Sequence, residues 1–218
     1  SKGNYMGSWS TPAIIHQGDS AVAVCAMATR VCGFDIKTGD LLWYCEGLSG
    51  NRGDLSYSSP MISGDLCVVS GGFQGPTIGF RIPKPGSASD GKNITDELRL
   101  WRIERNPQSI GTGLFLDGYV YRPGAGPNLM ECIKADTGEF LWKERVGSKA
   151  FWGSAVFDGN HAYATNQSGT TIIFKPSPDG YNEIASNDLD DTCNATPAIT
   201  DDAIYIRTYG KLWCIDGK

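Results

Sequence analysis

Short apolar runs along the chain alternate with polar turn-like segments, and this alternation recurs at a regular interval. Small-residue or proline steps open five strand-like segments, STPAI, SSPMI, GTGLF, WGSAV and ATPAI. Their aligned positions Pro12, Pro60, Gly113, Ser154 and Pro197 are 48, 53, 41 and 43 residues apart. Each segment leads into a turn with Gly, Asp or Asn and a second strand, as in SGDLCVV. The pattern predicts antiparallel hairpins, and no segment shows a sustained apolar stripe at helical spacing.

Each hairpin is followed by a third strand and, in four of the repeats, by a fourth strand. The third strands are RVCGFDI, TIGFRI, LMECIKA, TTIIFK and KLWCID, and the fourth are DLLWYCEG, ELRLWRIE, EFLWKERV and the weaker YNEIASNDL. A unit of four antiparallel strands over roughly 40–50 residues has the size of a propeller blade. We therefore predict an all-β fold, a single partial β-propeller over residues 1–218 with about four and a half blades. The predicted blades are approximately 9–50, 55–107, 109–148, 150–192 and 194–218.

A doubled phrase marks the reversal between third and fourth strands. Residues 34–43 read FDIKTGDLLW and residues 133–142 read IKADTGEFLW. In each copy a glycine, Gly39 or Gly138, supplies the positive φ that a tight turn requires. Trp43, Trp142 and, in the second unit, Trp101 then lie on the outer strand, where we predict that they dock against a neighbouring blade. Residues 83–97 interrupt the second unit, and their polar composition predicts an exposed loop.

Composition narrows the class of partner. The chain carries a formal charge of −5 and has no cluster of Lys and Arg, which argues against binding to a nucleic-acid backbone. None of the seven cysteines stands in a CxxC pair, so a zinc site is not indicated. Most of them lie in apolar strand contexts and are interpreted as small buried side chains. The sequence leaves open whether Cys25 and Cys32 form a disulfide across a hairpin.

These motifs resemble a known family. The phrases GFDIKTGDLLW and CIKADTGEFLW resemble the tryptophan-docking repeat of quinoprotein (PQQ-like) propellers, of the form A-x-D-x-x-T-G-K-x-x-W, with several positions replaced. The closing run TPAITDDAIYIRTYGKLWCIDGK is similar to the C-terminal end of bacterial PQQ-like propeller proteins, which resemble the propeller lipoprotein of the outer-membrane assembly machinery. The resemblance implies seven or eight blades. Since residues 1–9 are short and irregular for a closing strand, we expect this chain to be the C-terminal part of a longer propeller.

The resemblance implies one enzymatic alternative, a PQQ-dependent dehydrogenase that oxidises alcohols or sugars. In that family a pair of adjacent cysteines and a Trp sandwich the quinone, and carboxylates hold a Ca²⁺ ion. This chain has no adjacent cysteine pair, and its two histidines, His16 and His161, are isolated. The acidic run at residues 188–191 lacks the alternating oxygens and the glycine of a calcium loop, so we interpret it as a solvated strand end. We expect no cofactor and no catalytic residue.

The favoured prediction is a noncatalytic scaffold that binds a protein, a peptide or another ligand. Residues just before each inner strand and the loops between second and third strands should share one mouth of the propeller. The predicted binding residues are Trp9, Tyr57, Phe151, Trp152, Arg30, Arg122 and Arg207. Such aromatic and cationic groups suit a peptide strand, a sugar or an anion. The partner could also be the remaining blades of the same propeller. The resemblance implies a periplasmic or extracellular protein, although this chain shows no export signal, and a secreted adhesion module is a third option.

Overall fold

The computed structural model describes residues 7–18, 20–51, 53–72, 74–104, 110–126 and 128–216. Residues 1–6, 105–109 and 217–218 lie outside this part. The predicted blade boundaries at residues 107 and 109 and most of residues 1–9 therefore lie outside the described residues. Described residues are almost entirely strand and turn, which confirms the predicted all-β class. They form two compact units, Ser1–Asn106 with Ala135–Glu139, and Pro107–Lys134 with Phe140–Lys218.

The first unit contains two sheets of antiparallel strands with the predicted order. One sheet joins β1 (Ala13–Gln17), β2 (Ser20–Ala26), β3 (Arg30–Asp35) and β4 (Leu41–Glu46), and the other joins β5 (Met61–Ser63), β6 (Leu66–Ser70), β7 (Thr77–Arg81) and β9 (Arg99–Ile103). Alternate side chains of the two sheets meet in one apolar core, which includes Val24, Trp43, Ile78 and Phe80. The alternation in the sequence thus places one apolar row of each strand inside this unit.

The predicted loop at residues 83–97 is more ordered than its composition indicated. Lys92–Asn93 forms β8, which pairs in parallel with β4, and the single helical turn α1 (Thr95–Leu98) follows it. Ile94 is buried and its amide donates to the carbonyl oxygen of Tyr44 at 2.9 Å, while Thr95 Oγ1 accepts the Glu46 amide at 2.8 Å. The prediction of a loop is therefore wrong for residues 92–97, and the prediction of exposure is wrong for Ile94 and Thr95, because these long-range bonds hold the segment against the edge of β4.

The second unit contains two four-stranded sheets and one three-stranded sheet. The four-stranded sheets are β10 (Leu114–Leu116), β11 (Tyr119–Pro123), β12 (Leu129–Lys134) and β13 (Phe140–Arg145), then β14 (Val156–Phe157), β15 (Ala162–Thr165), β16 (Thr170–Phe174) and β17 (Glu183–Asp188). The three-stranded sheet is β18 (Ala198–Ile199), β19 (Ala203–Arg207) and β20 (Leu212–Asp216). Within the described residues, no strand pairs with the outer edge of β20.

Close approach of neighbouring backbones explains the small residues that open each repeat. In the second unit, a Cβ added to Gly111 would overlap the carbonyl oxygen of Gly153, and one added to Gly153 would overlap that of Ala195. One residue further on, the Ser154 amide donates to Thr196 Oγ1 at 2.9 Å. The first strands of successive sheets therefore converge, as in the blades of a propeller, and only small side chains fit between them.

The tryptophans of the first three fourth strands, Trp43, Trp101 and Trp142, each lie next to the third strand of their own sheet. A Cβ at Gly33 would overlap the Trp43 ring, and one at Gly79 would overlap the Trp101 ring. Trp142 stands opposite Cys132 in register and donates its indole N–H to the carbonyl oxygen of Ser177 at 2.8 Å.

The two turn glycines adopt the expected left-handed conformation. Gly39 and Gly138 have φ values of 77° and 76°. In the first unit, Gly138 lies under the Trp101 ring, whose indole N–H donates to the carbonyl oxygen of Ala135 at 2.8 Å. The geometry is compatible with docking, which stays a prediction for Trp43, Trp101 and Trp142.

Candidate functional site

The three-stranded sheet of the second unit presents an uncovered face. Tyr205 pairs with Cys214 and Arg207 pairs with Leu212 in the antiparallel register, so these four side chains lie on the same side of the sheet. All four are exposed, with Leu212 at 70% and Tyr205 at 37%. We call Tyr205, Arg207, Leu212 and Cys214 the open face. Of these four residues, only Arg207 is among the predicted binding residues.

An equivalent face in the same unit is buried. In the β10–β13 sheet, Tyr121 pairs with Cys132 as Tyr205 pairs with Cys214, and Met130 takes the place of Leu212. Tyr121 is 2% exposed, and Met130 and Cys132 are fully buried. They share a core with side chains of the β14–β17 sheet, namely Ala162, Ala164, Ile172 and Phe174. We call Tyr121, Met130 and Cys132 the covered face, since a neighbouring sheet removes it from water.

The two Tyr–Cys pairs show the same difference electrostatically. Burial, and then the Cys132 thiol, raises the pKa of Tyr121, and burial raises the pKa of Cys132 to about 11. For Tyr205 the main cause of a raised pKa is instead the side chain of Cys214. The leading cause changes because Tyr205 is exposed and keeps its hydration, whereas Tyr121 loses its hydration on burial.

An ordered loop borders the open face. The amide of Tyr209 donates to the carbonyl oxygen of Thr192 at 2.8 Å, and its hydroxyl accepts from Asn194 Nδ2 at 2.9 Å. Asn194 Oδ1 in turn accepts from Gln167 Nε2 at 3.0 Å. Tyr209 is nevertheless 66% exposed, and a cavity of about 470 Å³ lies beside it, Asn194 and Arg207. The aromatic ring is thus held in place while most of its surface faces solvent.

The predicted mouth residues of the second unit separate into exposed and buried members. Trp152 is 42% exposed and Arg207 is exposed, so both present surface to a ligand. Phe151 is fully buried in the core of this unit, where its amide donates to the carbonyl oxygen of Gly124 at 3.0 Å. Arg122 is 1% exposed and forms an ion pair with the equally buried Glu131, with Nη2 2.6 Å from Oε2. Phe151 and Arg122 are therefore buried in this structure, and their predicted binding role stays a prediction.

The predicted mouth residues of the first unit also include a preorganised aromatic pair. Trp9 is 66% exposed and stacks on Tyr57 with ring centroids 5.5 Å apart. The Trp9 amide donates to the carbonyl oxygen of Ser56 at 2.9 Å, and the absence of a side chain at Gly72 makes room for the Tyr57 ring. Arg30 lies elsewhere in this unit, with its guanidinium 4.9 Å from the centre of the Tyr44 ring. A binding role for these residues stays a prediction.

Carboxylates of the acidic run at residues 188–191 accept hydrogen bonds from backbone amides. Asp188 Oδ1 accepts the Asp190 amide at 2.9 Å, and Asp191 Oδ2 accepts the Gly210 amide at 2.9 Å. Hydrogen bonds from the Thr208 side chain and then from Gly210 lower the pKa of Asp191. These carboxylates therefore fix turns next to the open face, as expected of a solvated strand end.

The residues present do not fit the PQQ and calcium centre that the resemblance would imply. The sequence has no adjacent cysteines, and each of the seven cysteines is a free thiol, including Cys25 and Cys32, which face each other in register. Across the described part of the chain, no three His, Cys, Asp or Glu side chains gather in a way that could hold a metal ion. We therefore derive no chemistry through that group.

Comparisons with known proteins show which fold this is. Neither a protein-family model nor a curated protein sequence matches the chain. Among solved structures, BamB from Moraxella catarrhalis matches with a TM-score of 0.69 and 19% identity over 95% of this chain. A europium-containing methanol dehydrogenase matches with a TM-score of 0.72 and 13% identity over 99%, and a quinohemoprotein alcohol dehydrogenase from Comamonas testosteroni with 0.68 and 14% over 97%.

The chain spans about half the length of these structures, namely 58%, 50% and 42% of them. Among the described residues, no helix is both long and apolar enough to cross a membrane. The matched structures are a BamB protein and two dehydrogenases, so the shared architecture does not separate a scaffold from an enzyme. The convergent four-stranded sheets and these matches together show that the chain has the PQQ-like β-propeller fold.

Proposed function

We propose that this protein is a noncatalytic scaffold of the cell envelope that binds a polypeptide partner on its open face. The observation that carries the proposal is the exposure of Leu212 and Tyr205, whose counterparts Met130 and Tyr121 are buried. Exposed apolar side chains next to one another mark interaction sites on folded proteins. The envelope location rests on the motif resemblance to the propeller lipoprotein of the outer-membrane assembly machinery.

The chemistry of the open face favours a polypeptide over a small ligand. Beside its apolar side chains, β20 offers a row of backbone N–H and C=O groups that no strand of the described chain uses. An added antiparallel strand would satisfy them, as the fourth strand does in the other four sheets. A covering sheet with small and branched side chains, like Ala162, Ala164 and Ile172 over the covered face, would bury the rest.

Photo-crosslinking in the producing cell tests this function. A photoreactive amino acid is placed at Leu212 on the open face, or as a matched control at Ile184, which is 52% exposed on β17 of the same unit. We expect a discrete crosslinked polypeptide from position 212 and none from position 184. Peptide mapping then shows whether the crosslinked segment belongs to another protein or to another part of the same polypeptide.

Two outcomes would contradict the proposal. The first is an absence of crosslinks at position 212 although the protein is present and folded. The second is an equal yield from both positions, which would reflect general stickiness of exposed apolar residues. Leu212→Asp provides a complementary test, since a charge on the open face should abolish the crosslink from a photoreactive group placed at Tyr205.

The alternative function, dehydrogenation through PQQ, is favoured by the likeness to two dehydrogenase structures. It requires a quinone site, which the described residues do not supply. Addition of PQQ and Ca²⁺ to the purified protein provides the discriminating experiment. A shift in quinone absorbance together with dye-linked alcohol oxidation would establish the enzyme and overturn the scaffold. We expect neither signal.

A further inference from the structure

A groove in the first unit gathers three arginines from two strands of different sheets. Arg30 comes from β3, whereas Arg99 and Arg102 come from β9. Together with the turn at residues 46–49 they line a cavity of about 520 Å³. We call this the arginine groove. The chain as a whole is acidic, with a formal charge of −5, so a local concentration of guanidinium groups requires an explanation.

Backbone carbonyl groups hold two of these arginines in place. Arg99 Nη1 donates to the carbonyl oxygen of Glu46 at 3.0 Å. Arg102 Nε donates to that of Gly47 at 2.9 Å, and its Nη2 donates to that of Ser49 at 3.1 Å. A Cβ on Gly47 would lie 2.8 Å from Arg99 Nη1, so the glycine admits the guanidinium to the turn. Carbonyl acceptors orient the cations without cancelling their charge.

The charge of the groove is only partly balanced. Two acidic residues belong to this region: Arg102 forms an ion pair with Glu104, whose side chain is 71% exposed, and Glu46, which stands opposite Arg30 in register, lines the groove. Among the described residues, neither Arg30 nor Arg99 has a carboxylate within ion-pair distance. Burial, and then the positive charge of Arg99, lowers the pKa of Arg102, which shows that the two guanidinium groups repel each other. A bound anion would relieve this repulsion.

We propose that the arginine groove binds a phosphate group, with Arg30 and Arg99 as the ligating side chains and Arg102 as a positioning residue. A guanidinium offers five N–H donors in a planar fork, which matches pairs of phosphate oxygens. Arg99 uses one donor on the Glu46 carbonyl oxygen, and Arg30 lies against the Tyr44 ring, which leaves most donors of both for a ligand. The arginine groove shares no residue with the open face, and the proposal does not depend on the proposed function.

Titration of the purified chain with inorganic phosphate, against chloride at equal ionic strength, tests the site. We expect saturable binding by calorimetry, weakened about tenfold in Arg30→Gln and in Arg99→Gln, as for loss of one charge-assisted contact. Arg81→Gln is the matched control, because Arg81 is an exposed arginine of the same unit that pairs with Asp65 at 2.6 Å. Arg99→Lys keeps the charge but loses the fork, so it should also weaken binding.

A second arm identifies the source of the phosphate. Vesicles of phosphatidylglycerol are compared with vesicles of phosphatidylcholine for retention of the same variants. Retention on phosphatidylglycerol that Arg30→Gln and Arg99→Gln abolish would assign the phosphate to a lipid headgroup, whereas binding of inorganic phosphate alone would assign it to a soluble ligand. Failure of both ligands to bind, or equal losses in Arg81→Gln, would overturn the proposal. Circular dichroism of each variant confirms that it is folded.

Discussion

The covered and open faces of the second unit differ in surroundings more than in sequence. Both belong to a hairpin with a Tyr–Cys cross-strand pair, and both carry a large apolar side chain two residues before the cysteine. Yet Met130 is fully buried and Leu212 is 70% exposed. The strand pattern of a blade therefore prepares a surface for burial, and a neighbouring sheet must complete it. Where the described chain supplies no neighbour, the same pattern stays exposed, and we propose that a partner covers it.

The largest expected contrast comes from placing a charge on each face. Met130→Asp buries a carboxylate with no partner and should lower the free energy of unfolding by about 4 kcal/mol or more. Leu212→Asp leaves its carboxylate in water and should cost about 0.5 kcal/mol or less in the isolated chain. Denaturant unfolding of the two variants measures both values. Similar losses would show that Leu212 is packed in solution and that the open face is not open.

A smaller loss of stability is expected from a substitution on β13, the edge strand of the β10–β13 sheet. Trp142→Phe keeps a six-membered aromatic ring but removes the five-membered ring with the N–H that donates to the Ser177 carbonyl oxygen at 2.8 Å. We expect a loss of about 1 kcal/mol in the free energy of unfolding, the usual net value of one hydrogen bond. A loss above about 3 kcal/mol in the same denaturant experiment would instead indicate a packing role.

Acid should loosen the loop that borders the open face before it affects the covered face. The pKa of Asp191 is lowered in the folded protein, so its bond to Gly210 is fully present above the unfolded value of about 3.9 and is lost as pH falls through the lower folded value. NMR titration of the Gly210 amide should follow this transition. Asp191→Asn should remove the transition, and its persistence in that variant would refute the assignment.

A small stability effect is also expected at Trp152, one of the predicted mouth residues. Trp152 is 42% exposed, so Trp152→Ala should shift the melting temperature by only a few degrees. If Trp152 binds the partner, the variant should also reduce the crosslink formed from position 212. An unchanged crosslink yield would remove Trp152 from the site, while leaving the open face intact.

Local signals in the sequence were sufficient for the strands, turns and repeats. The positive φ of Gly39 and Gly138 follows from steric rules that operate within a few residues. The small residues at Gly111 and Gly153 were visible as a repeat in the sequence, but their physical reason is the close approach of backbones that are far apart along the chain. Long-range contacts were not readable in this way. Ile94 is buried because β8 joins the edge of β4, which the polar composition of the insertion concealed.

The candidate sites were the least predictable part. Arg122 was expected near a mouth, but cross-strand pairing with Glu131 buries it. Arg30 and Arg99 come from strands of different sheets, so only the fold brings them into one groove. The open face depends on the absence of a neighbouring sheet in the described chain, which no local pattern encodes. Sequence patterns predicted the alternation of apolar and polar side chains along each strand. Tertiary contacts decided which of the apolar side chains remained exposed.

The exposed thiol of Cys214 gives the most direct test of a covered surface in the cell. A small maleimide is applied to the purified chain and, separately, to producing cells that have been made permeable to the reagent. Alkylation of each cysteine-containing peptide is then followed over time. Cys132, which is buried and has a pKa of about 11, serves as the internal reference for an unreactive thiol. We predict rapid labelling of Cys214 in the purified chain and strong protection in the cell. Equally rapid labelling in both would mean that no polypeptide covers the open face, which would contradict the account.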